Sequence, residues 1–218
     1  MAARSTSNAT KVVASTLGVL VGLAGIEHGY FELLQGNNTP ENIMINAIGP
    51  SQRFWEHGSE RALTIIPNFA VTGILAIVFG LFVLTWAFVY LDRKHGAGVL
   101  MLLSTTLWLV GGGFAPIFMS ILASVTATMI NKPLNWWSQH LSPKVRDSLA
   151  RLWPWSVIGF VLLFLVSVEI AIFGYPLVWF FGAEVSYAIQ TTLALISVGL
   201  MPVAIVTAFA HDLKLRSE

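Results

Sequence analysis

Long apolar stretches are the feature that most restricts how this chain can fold. A helix that crosses the hydrocarbon core of a bilayer needs about 20 apolar residues. Four stretches meet this requirement directly: Val12–Leu33, Leu63–Leu91, Trp155–Tyr175 and Ser186–Ala210. Only 11% of the 218 residues are charged, whereas a soluble domain has about 25%. The sequence therefore predicts an all-α integral membrane protein, a polytopic helical bundle that forms a single domain over residues 1–218.

A fifth apolar stretch, Ala97–Ile130, is too long for one comfortable span. Near its middle, Gly111-Gly112-Gly113 comes shortly before Pro116, and both residue types interrupt helices. We therefore expect this stretch to fold back as a hairpin of two short helices, which either crosses the bilayer fully or re-enters it. The expected bundle then has six membrane segments, at about 12–33, 63–91, 97–111, 115–130, 155–175 and 186–210.

The distribution of lysine and arginine favours the hairpin and sets the orientation of the bundle. Basic residues near the ends of spans favour the cytoplasmic side of a membrane. With the hairpin, ten of the 12 lysines and arginines lie on the side of both termini, and Arg53 and Arg61 lie on the other. With a single crossing, only four of the 12 would share the side of the N-terminus. Both termini are therefore predicted to be cytoplasmic.

Two further helices are expected at the surfaces of the membrane. Ser142-Pro143 is typical of a helix start, and an apolar stripe follows it at Val145, Leu149 and Leu152. Residues 142–153 are thus predicted to form an interfacial helix, with an ordinary basic connecting loop as the alternative. On the opposite side, Thr39-Pro40-Glu41 suggests a short helix across the mouth of the bundle.

The first predicted span has a face of small residues, at Gly18, Gly22, Gly25 and Gly29. Such spacing is typical of closely packed membrane helices. The face serves either the chain's own bundle or a homo-oligomer, and the sequence leaves both open. The other expected partner is the lipid bilayer, since a net charge of +1 excludes a strongly basic nucleic-acid-binding protein.

Ionisable residues within the predicted spans are the candidates for function, because burying them in a membrane is costly. His28 and Glu32 are one helical turn apart at the edge of the glycine face, with Glu27 on roughly the opposite side. Arg61 and Asn68 belong to a polar stripe with Thr64 and Thr72 at the start of the second span. We predict one polar pocket in the outer half of the bundle, with these primary candidates: His28, Glu32, Arg61, Asn68 and Glu169. Secondary candidates are Glu27, His57 and Glu60.

Three interpretations of this pocket compete. In the first, Glu32 or Glu27 pairs with Arg61, and the chain is a structural or scaffold subunit of a membrane complex. In the second, His28, Glu32 and Glu169 titrate around a substrate pocket of a small transporter-like or permeation protein. In the third, His28 and Glu32 bind a metal in a membrane-embedded metalloprotein or enzyme, together with His57, Glu60 or Glu169. The second is favoured, and neither a catalytic residue nor a cofactor is assigned.

Four motifs together resemble those of a known protein family: Glu27-His28-Gly29-x-x-Glu32-x-x-Gln35-Gly36-Asn37, Thr64-Ile65-Ile66-Pro67-Asn68, Gly111-Gly112-Gly113-Phe114-x-Pro116 and Leu152-Trp153-Pro154-Trp155. The chain is similar in these motifs to small, uncharacterised polytopic membrane proteins of bacteria. The resemblance implies a location in the bacterial inner membrane. It assigns no activity and labels no residue as catalytic.

Overall fold

The computed structural model of the protein describes residues 8–217, so Arg4, one of the basic residues counted above, lies outside the described range. Within that range the chain is mainly helical. The helices are α1 (Ala9–Leu34), α2 (Phe69–Thr85), α3 (Gly96–Leu109), α4 (Phe114–Thr128), α5 (Asn135–His140), α6 (Pro143–Phe173) and α7 (Leu177–Ser217). A π-helical turn, Trp86–Tyr90, extends α2, and the strands β1 (Met44–Asn46) and β2 (Arg61–Leu63) form a small antiparallel sheet.

Within residues 8–217, four helices are long and apolar enough to cross a membrane: Ala9–Leu34, Phe69–Tyr90, Pro143–Phe173 and Leu177–Ser217. Two shorter apolar helices, α3 and α4, occupy the fifth predicted stretch. The prediction of an all-helical protein with long apolar helices is therefore confirmed. The count of six membrane segments stays a prediction.

The helix α1 lies at the centre of the bundle and packs against α2, α4 and α7. Its glycine face is filled by the chain's own helices. A Cβ atom on Gly22 would lie 2.7 Å from the carbonyl oxygen of Gly80, and one on Gly29 would lie 2.6 Å from that of Gly73. Gly18 and Gly25 face side chains of α3 and of the turn after α2 in the same way. The glycine face is thus covered by the chain's own helices, and a homo-oligomer stays a prediction.

The second apolar helix starts later than predicted. Arg61–Leu63 is a strand, and α2 begins only at Phe69, after Pro67. Asn68 is the N-cap of α2, since its side-chain oxygen accepts a hydrogen bond of 3.0 Å from the backbone N–H of Val71. The preceding connection holds β1 and a short 3₁₀ turn in place of the expected helix at Thr39.

No separate interfacial helix forms at residues 142–153 within the described chain. The helix that starts at Pro143 continues through Pro154 to Phe173, so the predicted boundary was wrong. Proline removes one backbone donor from a helix, but Ser156 donates to the carbonyl of Trp153 and contacts Thr207 Oγ1 at 2.8 Å on α7. These bonds and the packing of α6 on α7 keep the helix continuous across the proline.

The break between α3 and α4, at Val110–Gly113, is stabilised by the strand β2. The backbone N–H of Gly111 donates to Leu63 O at 2.9 Å, and that of Ile65 donates to Leu109 O at 3.0 Å. The hydroxyl of Thr72 donates to Val110 O at 2.7 Å. The interrupted helix therefore satisfies its free backbone groups with a strand, as a buried non-helical segment must. The glycine-rich interruption itself was predicted correctly.

Candidate functional site

The ion pair between His28 and Glu60 is the centre of the site. Nε2 of His28 lies 2.7 Å from Oε2 of Glu60, and the imidazole is almost completely buried. Helix α1 supplies His28 and the residue before β2 supplies Glu60, so the pair joins the central helix to the long connection. Burial alone would raise the pKa of the Glu60 carboxyl, but the charge of His28 and its hydrogen bond outweigh this and hold the pKa below its usual range. Glu60 is therefore ionised.

Glu27 also belongs to this cluster. Its Oε2 atom lies 3.9 Å from Nε2 of His28, and its Oε1 atom is buried without a hydrogen-bond partner among the described residues. Glu27 was predicted to lie on roughly the opposite side of α1, away from His28, but the two side chains lie close together. Consecutive residues are about 100° apart on a helix, and the glutamate side chain is long enough to reach back to its neighbour.

Glu32 lies one helical turn after His28 and is completely buried, with 0% of its surface exposed. Neither of its carboxylate oxygens has a hydrogen-bond partner among the described residues. The Nδ1 atom of His28 is also buried without a partner. Polar groups in proteins are rarely buried in this way, because losing hydration without a replacement bond is unfavourable. The hydrogen bonds of the described chain therefore leave three buried polar atoms, two on Glu32 and one on His28, without a partner.

The glycines between α3 and α4 form one wall of the site. A Cβ atom on Gly111 would overlap the carboxylate of Glu32, and one on Gly113 would lie 2.6 Å from Nε2 of His28. Both glycines have positive φ angles, +108° and +82°, which side chains disfavour. Glycine is thus required here both by the backbone conformation and by the space that the polar side chains of α1 occupy.

A cavity of about 280 Å³ opens beside the cluster, between α1, α4 and α6. Glu27, His28 and Glu60 line it on the polar side, and Phe114, Pro116 and Phe164 are among the apolar residues that complete it. Arg61 lines the same cavity, but its side chain is exposed and makes no ion pair among the described residues. The predicted pairing of Arg61 with Glu32 or Glu27 is therefore absent from that part of the chain.

Three predicted site residues lie outside the cluster. Asn68 caps α2 and donates to Asn37 Oδ1 at 2.5 Å, so it has a structural role. Glu169 is exposed and lines a different, mainly apolar groove with Tyr175 and Leu193. His57 lies 3.2 Å from Glu184 and stacks on Tyr187. The structure thus brings His28, Glu60 and Glu27 together. Asn68, Glu169 and His57 lie elsewhere.

Sequence reasoning did not identify the residues that fix the site from the loop side. Trp55 donates its indole N–H to Ala171 O at 3.0 Å and packs against Gly174. This contact attaches the connection that carries Glu60 to the end of α6. A tryptophan in a polar segment was the signal available in the sequence. Its partner, Ala171, lies more than a hundred residues away, and no local sequence pattern identifies it.

The cluster has the donor set of a metal site. One ligand atom each from Glu27, His28 and Glu60 lies within 4.8 Å of the other two. One imidazole nitrogen and two carboxylate oxygens suit divalent metals of intermediate softness. The same groups also exchange protons readily, so their arrangement is compatible with either kind of cation.

No protein-family model, no curated protein and no solved structure matches this chain. The resemblance to bacterial membrane proteins stays an expectation based on the motifs.

Proposed function

We propose that this protein is a small, proton-linked transport protein of the bacterial inner membrane. Its pocket consists of His28 and three carboxylates, those of Glu27, Glu32 and Glu60. The observation that carries the proposal is the complete burial of Glu32, which has no hydrogen-bond partner among the described residues, near the ion pair of the buried His28 and a cavity. Ionisable groups held inside a membrane bundle are typical of proton and ion pathways.

The charge of the pocket supports binding of a cation. Three carboxylates share one imidazole, and Arg61 lies at the exposed edge of the cavity without an ion-pair partner among the described residues. In a medium of low dielectric constant, an excess of negative charge is strongly unfavourable. A proton or another small cation relieves this excess, and its entry and exit would change the charge state of the pocket.

A measurement of proton flux in proteoliposomes tests this proposal. We expect the wild-type protein to conduct protons above the level of protein-free vesicles, either alone or in the presence of small inorganic cations. The double variant His28→Gln/Glu60→Gln should abolish this flux. The two amides can form a neutral hydrogen bond with each other. The variant therefore lacks both titratable groups of the pair but changes the shape of the site little.

The matched control is His57→Gln/Glu184→Gln, which removes the second histidine–glutamate pair at the same end of the bundle. Glu184 is 83% exposed, so we expect this variant to retain the flux of the wild type. Equal losses in both double variants, or no flux from the wild type under any condition, would contradict the proposal.

For the membrane topology, we propose six segments, with α3 and α4 as a hairpin and both termini in the cytoplasm. The division of lysine and arginine supports this arrangement. A reporter enzyme that is active only outside the cytoplasm, fused after Asn135, should therefore be inactive. A fusion after Asn38 is the control, because this position lies outside in both topologies and should be active. Activity of the fusion after Asn135 would show that the stretch crosses the membrane only once.

A scaffold function is the second candidate. The observation that favours it is the attachment of the long connection by the His28–Glu60 ion pair and by Trp55. A purely structural pair predicts that His28→Gln/Glu60→Gln lowers the thermal stability of the protein, and that the wild type shows no flux. The same set of measurements thus separates the two functions.

A further inference from the structure

We infer that Glu27, His28 and Glu60 form a binding site for one divalent first-row transition-metal ion, such as Mn²⁺ or Zn²⁺. This inference names the substrate class of the pocket. The role of the ion as transported substrate rests on the proposed function, whereas its binding does not.

The distances between the ligand atoms fit such an ion. Ligands at about 2.1 Å from a common metal are separated from each other by about 3–3.5 Å. Nε2 of His28 lies 2.7 Å from Glu60 and 3.9 Å from Glu27, and all three ligand atoms lie within 4.8 Å of one another. Small side-chain rotations are therefore sufficient to place the three atoms around one ion, without movement of the backbone.

Charge and donor type determine the class of ion. Two ionised carboxylates balance a divalent cation when the imidazole is neutral. Mg²⁺ and Ca²⁺ prefer oxygen ligands alone. An imidazole nitrogen suits transition metals such as Fe²⁺ and Zn²⁺, and carboxylate oxygens also suit Mn²⁺. A site with one nitrogen and two oxygen ligands therefore favours a transition-metal ion over Mg²⁺ and Ca²⁺.

The buried atoms without partners also point to a ligand. A metal-binding histidine usually donates the N–H of its other ring nitrogen to a nearby acceptor, which orients the ring. Nδ1 of His28 is buried and unpaired among the described residues, and Glu32, one turn along on the same face, has two unpaired oxygens. We assign Glu32 as the acceptor that Nδ1 engages when Nε2 binds the metal.

The cavity gives the ion a route and leaves its coordination incomplete. The three ligand residues line a cavity of about 280 Å³, which has room for several water molecules beside an ion. Three protein ligands leave a fourth position for water, whereas closed structural sites have four protein ligands. The cavity beside the three ligands can supply that water.

The test is metal binding to the purified full chain in detergent, after treatment with a chelator. We expect a single Zn²⁺ ion per chain by calorimetry, and a single bound Mn²⁺ by electron paramagnetic resonance. Glu27→Gln should weaken binding of both ions by about tenfold or more. It is the suitable variant because the Glu27 side chain makes no hydrogen bond to the described residues, so its loss need not prevent folding. The control Glu184→Gln should bind both ions like the wild type.

Thermal unfolding with and without Zn²⁺ provides a second measurement, because a ligand that binds only the folded state stabilises it. Zn²⁺ should raise the unfolding temperature of the wild type and of Glu184→Gln, and have a smaller effect on Glu27→Gln. Absence of binding at about 1 mM metal, or equal binding by Glu27→Gln and the wild type, would overturn the site. Proton flux without metal binding would overturn this inference alone, whereas metal binding without flux would support the site and contradict transport.

Discussion

Replacing Glu32 with methionine should make the protein more stable and at the same time abolish its flux. The carboxyl group is completely buried, and neither oxygen has a partner among the described residues. Burying a polar group without a hydrogen bond costs about 1–3 kcal/mol in proteins. Methionine is unbranched, has a similar length and needs no partner. We therefore expect a gain of about 1–3 kcal/mol in the free energy of unfolding.

The loss of flux has a separate cause, since methionine neither binds a proton nor accepts one from His28. Glu32→Gln separates the two effects. The amide keeps the size and the buried polar atoms of the glutamate, so the gain in stability should be absent, but it does not titrate, so flux should still be lost. Denaturant unfolding in detergent micelles and proton flux in proteoliposomes measure the two properties independently.

Two results would contradict this account of Glu32. A large loss of stability in Glu32→Met would mean that the carboxylate has an essential structural partner. Normal flux in Glu32→Gln would exclude Glu32 from the proton pathway. If both variants behave as expected, the carboxylate is retained at the expense of stability, as is typical of groups that serve binding.

The long apolar helices were predictable from the sequence, because the length of an apolar stretch can be counted without knowledge of tertiary structure. The starts of α1 and α3 and the glycine interruption at Gly111–Gly113 were also close to their predicted places. The boundary near Pro154 was wrong, because the packing of α6 on α7 outweighs the loss of one backbone hydrogen bond. The start at Leu63 was wrong because hydrophobicity alone does not distinguish a short strand from the first turn of a helix.

The site was only partly predictable. The predicted pocket included His28 and Glu32, which the helical period of a single segment relates to each other, and both side chains are buried. Glu60 ranked as secondary, because a connection without periodicity gives no information on where its side chains lie. Asn68 carried a signal that was available in the sequence, since asparagine between proline and an apolar run is a typical N-cap. The prediction of Asn68 as a pocket residue did not use this N-cap signal.

The largest structural effect is expected from Gly113→Ala. Two contributions add at this position. A residue with a side chain at φ +82° and ψ +159° is unfavourable by about 1–3 kcal/mol, because this backbone region is essentially restricted to glycine. The new Cβ atom would also lie 2.6 Å from Nε2 of His28, and overpacking of this kind costs about 1–3 kcal/mol more. We expect a loss of about 2–6 kcal/mol in the free energy of unfolding, with His28 displaced from Glu60 and flux abolished.

The chain offers one control that has only the conformational cost and another that has neither cost. Gly182 has similar angles, φ +76° and ψ +172°, but no described atom lies within 4 Å of a new Cβ. Gly182→Ala should therefore show only the conformational cost, about 1–3 kcal/mol. Gly98 lies in α3 with open space around it, and Gly98→Ala should be neutral or stabilising by up to about 1 kcal/mol.

A double-mutant cycle with His28→Ala then tests whether the imidazole is the group that Gly113 must accommodate. Once the ring is removed, the steric part of the Gly113→Ala effect should disappear, and its remaining cost should equal that of Gly182→Ala. A cost of Gly113→Ala that is unchanged in the His28→Ala background would show that the two residues do not interact. The glycine would then be needed only for its backbone angle, and the close fit between this wall and the polar pocket would have no energetic consequence. The expected coupling would show instead that the helix break is shaped to hold His28 against Glu60.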